Sequence, residues 1–196
     1  MYSQTVDRLW RKNRDFISGS NCTGIDINRN WSWKWEVPGG ASTDPCDETY
    51  KGKTPGGTAE FKVLSTFMDK LASSKAGVKL YIDWHSYSQL FMTPYGYSCS
   101  AVTTDSAELG LLAAGYAKAA SALYQTTYKS GPICTTVYQV TGCAVDYAYD
   151  VSKIKYSFST ELRDDGKWGF ILPAQEILPT AKENWAGVAY LLENIK

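Results

Sequence analysis

The sequence holds one histidine, His85, at the end of a stretch that alternates like a buried strand through Val78, Leu80 and Ile82 before a polar, aromatic turn from Ser86 to Gln89. A ring nitrogen placed there can face a cleft. A catalytic zinc site takes about three protein ligands from His, Glu, Asp or Cys, so either His85 is an ordinary hydrogen-bonded residue or its co-ligands lie elsewhere. A second reactive group sits on the run from Ile154 to Asp164, which alternates with Tyr156, Phe158 and Thr160 on one face and Ser157, Ser159 and Glu161 on the other. The pattern leaves open which face is buried, but Glu161 falls near the strand end, as His85 does on its own. Charge marks a third place: four of the five arginines, Arg8, Arg11, Arg14 and Arg29, lie in the first thirty residues. Guanidinium groups bind carboxylates through a planar fork of two parallel charge-assisted bonds. An anionic ligand therefore competes with a solvated basic turn as the explanation, and Asn28 and Arg29 stand side by side where a short strand from Gly24 runs into a polar loop.

The elements that must position these groups alternate between strand and helix, which argues one α/β domain over 1–196 with a mixed, largely parallel sheet and ligands beyond the carboxyl ends of its strands. Residues 31–57 form a long irregular loop that Cys46 could pin to Cys22, with Trp31, Trp33 and Trp35 interleaved. A helix is expected over about 58–73 with Phe61, Leu64, Met68 and Leu71 in the core. Phe91 to Tyr97 is a short extended segment. Asp105 and Glu108 read as the cap of a helix to about Tyr124 with Leu109, Leu112, Ala113, Tyr116 and Leu123 inward, and Thr180 with Glu183 as the cap of a last helix with a stripe of Trp185, Val188, Ala189 and Leu192. Between them, 129–150 reads as an aromatic, loop-like segment.

With 44% apolar and 20% charged residues among 196, the chain has an ordinary globular balance. Twenty basic and twenty acidic residues cancel, so nucleic acid and anionic membrane surfaces are not expected partners. No apolar run approaches the roughly 20 residues that span a bilayer. The opening residues are not a signal peptide, so a secreted product requires a targeting segment that this sequence lacks. Five cysteines, none in a C-x-x-C pair, allow two bridges and one leftover thiol. Asn21-Cys22-Thr23 and Asn30-Trp31-Ser32 both satisfy the glycosylation triplet. Together these lean toward an oxidising compartment. The absence of a Gly-x-Ser-x-Gly turn disfavours a serine hydrolase.

Five segments in order, namely Asp7 to Arg14, Gly24 to Trp31, His85 to Gln89, Thr136 to Gln139 and Tyr156 to Asp164, resemble the zinc metallocarboxypeptidases of the carboxypeptidase A/B type. The resemblance covers essentially the whole chain. It implies a zinc exopeptidase acting on peptides or proteins with a free C-terminal carboxylate, secreted and monomeric, whose single Zn2+ is bound in part by His85. It implies that Glu161 is the general base on zinc-bound water, that Arg11 steadies the oxyanion, and that Asn28, Arg29 and Tyr138 grip the terminal carboxylate. It also implies that Tyr87 and Phe170 line the substrate cleft, and that Val145, with Ile133 and Val137, walls the pocket for the last side chain. An apolar pocket there excludes cations and favours aliphatic or aromatic residues, although a one-residue shift of register would bring the adjacent Asp146 in and reverse the preference. The paired cysteines implied are Cys22 with Cys46 and Cys99 with Cys134, which leaves Cys143 unpaired.

One departure qualifies these expectations. The family's remaining zinc ligands come from a His-x-x-Glu motif upstream of the region matched, and no such motif occurs here. The expectation is an incomplete catalytic domain, lacking N-terminal strands and any pro-segment, that binds zinc poorly and hydrolyses little by itself. Two other readings stand beside it: a non-catalytic secreted module that binds peptide C-termini, which has no use for the base Glu161 or the oxyanion donor Arg11, and a sugar-binding domain working through Trp31, Trp33 and Trp35.

Overall fold

In the computed structural model, which describes residues 2–196, the elements follow one another as α1 (Tyr2–Thr5), α2 (Ala59–Ala72), β1 (Leu80–Ser86), β2 (Leu90–Thr93), α3 (Ser106–Tyr124), β3 (Lys129–Pro132), α4 (Ile133–Thr136), α5 (Ala144–Asp150), β4 (Tyr156–Leu162) and α6 (Ile177–Asn194). The strands form one sheet in the order β1-β4-β2-β3; β1 runs parallel to β4 and β2 to β3, while β2 and β4 are antiparallel. This is the mixed, helix-flanked sheet expected of the chain. Because β4 is central and covered on both sides, Tyr156 through Thr160 are all buried, which answers the question its alternation left open. β1 is not the fully buried strand its alternation implied. It lies at the sheet edge with a single partner strand, so its residues are half-buried and Trp84 is exposed.

Helices α3 and α6 pack on each other and on one face of the sheet, around Phe91, Leu109, Tyr116, Phe158 and Leu191. Phe91 stacks on Tyr116 with ring centroids 3.6 Å apart. On the other side α5 lies over β4 and β1, and α2 is joined to it through Trp31, Phe61 and Tyr147, whose rings meet pairwise at 5.0 to 5.6 Å. Thr58 Oγ1 accepts the amide of Phe61 at 3.2 Å and starts α2.

Several expectations need correction, each for a packing reason. Helix α2 presents one narrow face inward, so Phe61 and Met68 are buried with Ser65 between them, while Leu64 and Leu71 are exposed. In α3 the inner face holds as far as Ala120, but Leu123 in the last turn is exposed. Asp105 and Glu108 form no capping box: Asp105 accepts the Tyr149 hydroxyl, and Glu108 binds Lys155 and the Tyr156 hydroxyl. Helix α6 starts one turn ahead of Thr180, whose hydroxyl returns to the Glu176 carbonyl. Its buried face sets Thr180, Glu183 and Asn184 beside Gly187 and Leu191. Glu183 is fully buried, paired with Arg163 and hydrogen-bonded by the Tyr128 hydroxyl, and Trp185 and Leu192 point outward instead. Such groups tolerate burial only because each finds a partner. The stretch 129–150, read as loop, contains β3, α4 and the buried α5.

The loop 31–57 is irregular as expected and is tied down by the Cys22–Cys46 disulfide and by Asn30. That side chain donates to the carbonyls of Lys51 at 2.7 Å and Thr54 at 2.9 Å, and accepts from the Thr58 amide at 3.1 Å. Cys99 is joined to Cys134, and Cys143 is free and buried. The tryptophans form no surface platform for a sugar. Trp31 is core, Trp33 donates its indole N–H to Asp150, and Trp35 donates to the Lys51 carbonyl.

Candidate active site

In the parallel pairing of β1 with β4, His85 lies opposite Glu161. Residues in register on neighbouring strands share a face, so the imidazole and the carboxyl open into the same cleft, which Ser86 and Ser159 also line. Asp83, two residues before His85 and therefore on the same face, approaches His85 Nε2 with Oδ2 at 2.8 Å. Asn28 Nδ2 lies 3.2 Å from the same nitrogen. Burial lowers the imidazole pKa, but the Asp83 hydrogen bond and charge, with Glu161 adding to them, raise it overall. Glu161 is pushed up to about 7 by burial, against the pull of His85 and Arg11. Its Oε2 is buried without a hydrogen-bond partner.

The basic side of the cleft is organised by Asp26. Its Oδ1 accepts the Asn28 amide at 3.0 Å, and its Oδ2 accepts Arg11 Nε at 3.0 Å and Nη2 at 2.8 Å. Burial lowers the Arg11 pKa and the Asp26 carboxylate more than offsets this, so the guanidinium is held charged. Arg29 is placed differently. It is 3% exposed, donates through Nη1 to the Asn28 carbonyl at 2.9 Å, stands 3.8 Å from Asp26, and leaves Nε with no partner. Asn28 is fixed by donation of the Ala144 amide to its Oδ1 at 2.9 Å, which ties the short 3-10 turn Ile27–Arg29 to the start of α5. The other early arginines stay outside: Arg14 stacks on Tyr2 and Trp10 at 3.9 and 4.1 Å, and Arg8 is exposed.

Gly142 lets the chain reach α5 past Arg29. At its φ of +62° a Cβ would sit 2.4 Å from the Arg29 carbonyl oxygen, a contact with backbone that cannot yield cheaply. Gly142→Ala is expected to lower stability by at least about 1 kcal/mol, read by denaturant unfolding; an unchanged midpoint would mean that the approach is not as close as described.

The far wall is apolar. Met92, Ile133, Val137, Val140, Cys143 and Val145 line the cleft, and Tyr138 stands exposed at its mouth. Val145, not Asp146, faces in. Asp146 is buried behind the wall, where its carboxylate accepts the amides of Gly96 and Tyr97 at 3.0 Å; burial pushes it up to about 6 against those bonds. Tyr87 and Phe170 are not brought into the lining. They pack edge to face on each other, 4.9 Å between centroids.

The cleft thus joins Arg11, Asn28, Arg29, His85, Ile133, Val137, Tyr138, Val145 and Glu161. Sequence reasoning missed Asp26 and Asp83, although each precedes an identified site residue by two positions and period-two strand geometry would have found Asp83. Among the described residues no three His, Cys, Asp or Glu side chains are placed to hold a metal ion, and no helix is long and apolar enough to cross a membrane.

Comparison with known proteins gives the family and the fold. A family model described as zinc carboxypeptidase matches residues 1–187. The chain is 47% identical to a metallocarboxypeptidase A-like protein of Trichophyton verrucosum over 196 residues, all of this chain and 46% of that one. It is 46% identical to carboxypeptidase A2 of Mus musculus, covering all of this chain and 45% of the relative. Among solved structures, bovine thrombin-activatable fibrinolysis inhibitor in complex with tick carboxypeptidase inhibitor superimposes with a TM-score of 0.91 at 37% identity, covering 98% of this chain and 64% of that one. Carboxypeptidase A from Helicoverpa armigera does so with 0.85 at 26% identity, covering 98% and 47%. The chain therefore spans about half the length of the curated relatives it matches.

Proposed function

Because the chain belongs to the zinc carboxypeptidase family, we propose that it forms the carboxylate-binding and proton-accepting part of an exopeptidase that removes C-terminal residues from peptides. The observation that carries this reading is Arg29, a nearly fully buried cation whose Nε has no partner and whose nearest carboxylate is 3.8 Å away. A buried charge is costly unless paired and hydrogen-bonded, and the free carboxylate of a peptide end supplies both. Asn28 and Tyr138 flank it in the same cleft.

The family implies zinc, which takes about three protein ligands. The described residues bring no such three together and so do not fit the ion by themselves. His85 is the one imidazole this chain offers to it. Glu161, poised near 7, accepts a proton from a water attacking the last peptide carbonyl, a role that requires a base with a pKa close to the working pH. Arg11, fixed by Asp26, steadies the negative charge that develops on the carbonyl oxygen. The wall of Met92, Ile133, Val137, Val140 and Val145 takes an aliphatic or aromatic C-terminal side chain. The two disulfides support an extracellular site of action.

A second reading, a module that holds peptide C-termini without cleaving them, draws on the absence of a three-ligand group. Turnover, zinc stoichiometry and binding of one peptide as free acid and as amide separate the two. Cleavage with a strong preference for the free acid supports the peptidase; tight free-acid binding with no cleavage overturns it. Val145→Asp is expected to lower kcat/KM for apolar C-terminal residues about tenfold or more, roughly 1.4 kcal/mol, and to favour lysine or arginine in their place. An unchanged preference would remove Val145 from the pocket.

A further inference from the structure

The triplet Asn21-Cys22-Thr23 is not used by the reaction above, and the fold separates it from the other triplet, Asn30-Trp31-Ser32. Asn30 is fully buried and its carboxamide is consumed by three hydrogen bonds, to Lys51, Thr54 and Thr58. A sugar there is incompatible with the folded chain. Asn21 is the opposite case: it is exposed, it sits on an irregular bend, and no hydrogen bond holds its side chain among the described residues. The residue between Asn21 and Thr23 is itself half of the Cys22–Cys46 disulfide, so the triplet belongs to a segment that matures where thiols are oxidised. That compartment is the one in which asparagine receives oligosaccharide. Asn21 opens beside a recess lined by Tyr2, Trp10, Arg14 and Thr23, which shares no residue with the catalytic cleft.

We propose that Asn21 is an N-glycosylation site, occupied by an oligosaccharide when the protein is made in a secretory pathway. The donor is a lipid-linked oligosaccharyl diphosphate. Asn21 Nδ2 forms a bond to the anomeric carbon, the bond from that carbon to the diphosphate oxygen breaks, the lipid diphosphate leaves with the electron pair, and the amide loses one proton to a base; nothing is oxidised or reduced. Position and exposure make the glycan compatible with the fold, and its place outside the cleft leaves peptide access open.

The test is peptide mapping of the protein secreted from a eukaryotic host, after peptide-N-glycosidase treatment in 18O-water. Asn21 is expected to be recovered as 18O-labelled aspartate and Asn30 as unmodified asparagine. Asn21→Gln and Thr23→Ala, which block the triplet at its two ends, are each expected to abolish the glycosidase-dependent mobility shift contributed by this segment while peptidase activity is unchanged. Recovery of Asn21 as unlabelled asparagine from folded, disulfide-bonded protein would overturn the proposal, as would label at Asn30 in place of Asn21.

Discussion

Replacing Arg29 by alanine is expected to erase the preference for a peptide with a free C-terminal carboxylate over the same peptide amidated. The guanidinium is 3% exposed and its Nε is unpartnered, so a carboxylate entering the cleft completes it instead of displacing an existing bond. Hydrogen bonds to charged groups contribute roughly 1.5–3 kcal/mol each, and two of them correspond to a hundredfold or more in affinity. Arg29→Lys keeps the charge but loses the planar fork, so an intermediate loss is expected. The ratio of free-acid to amide binding is the readout, because general damage to the fold lowers both alike. An unchanged ratio in Arg29→Ala with an intact unfolding midpoint would place the grip elsewhere.

The strand-end positions of His85 and Glu161 were legible because strand geometry is short-ranged, while the roles given to them rested on the family resemblance. His85 and Glu161 each close an alternating run, and parallel pairing then sets them in register. Asn28 and Arg29 were legible as neighbours, but the reason they are rigid was not: beside Asp26, it lies in Gly142 and the Ala144 amide, from a segment more than a hundred residues further along the chain. The choice between Val145 and Asp146 as the pocket residue depended on α5, whose composition of Ala, Val, Asp and Tyr carries no clear period. Only the helix turn shows that one faces the cleft and the other takes the Gly96 and Tyr97 amides. Helix α6 went wrong for a related reason. Its apolar stripe pointed to Trp185 and Leu192, while the buried pairing of Glu183 with Arg163 and Tyr128 set the inner face. A hydrophobic pattern read along one helix cannot register partners 20 and 55 residues away in sequence.

Glu161→Gln is expected to change activity and stability in opposite directions. Removing the proton acceptor should lower kcat by about 10²–10⁴, the usual range for a general base, with little change in peptide binding because Arg29 and Asn28 are untouched. The base must be ionised to act, so activity should fall as pH drops through the pKa of this carboxyl, which burial raises. The same shift acts on folding. With a pKa raised from 4.5 to about 7, the folded chain binds the proton more tightly than the unfolded one. The stability gained from that proton is complete below about pH 4.5 and is lost as pH rises through 7. Glutamine carries no charge at any pH and escapes that loss. At about 1.36 kcal/mol per pKa unit, metal-free Glu161→Gln should exceed the parent by on the order of 3 kcal/mol at pH 8 and match it near pH 4, measured by urea unfolding at both. A structural carboxylate would behave the other way, costing stability at pH 8 when removed. Loss of stability at pH 8, or retained turnover, would therefore remove Glu161 from the role given to it.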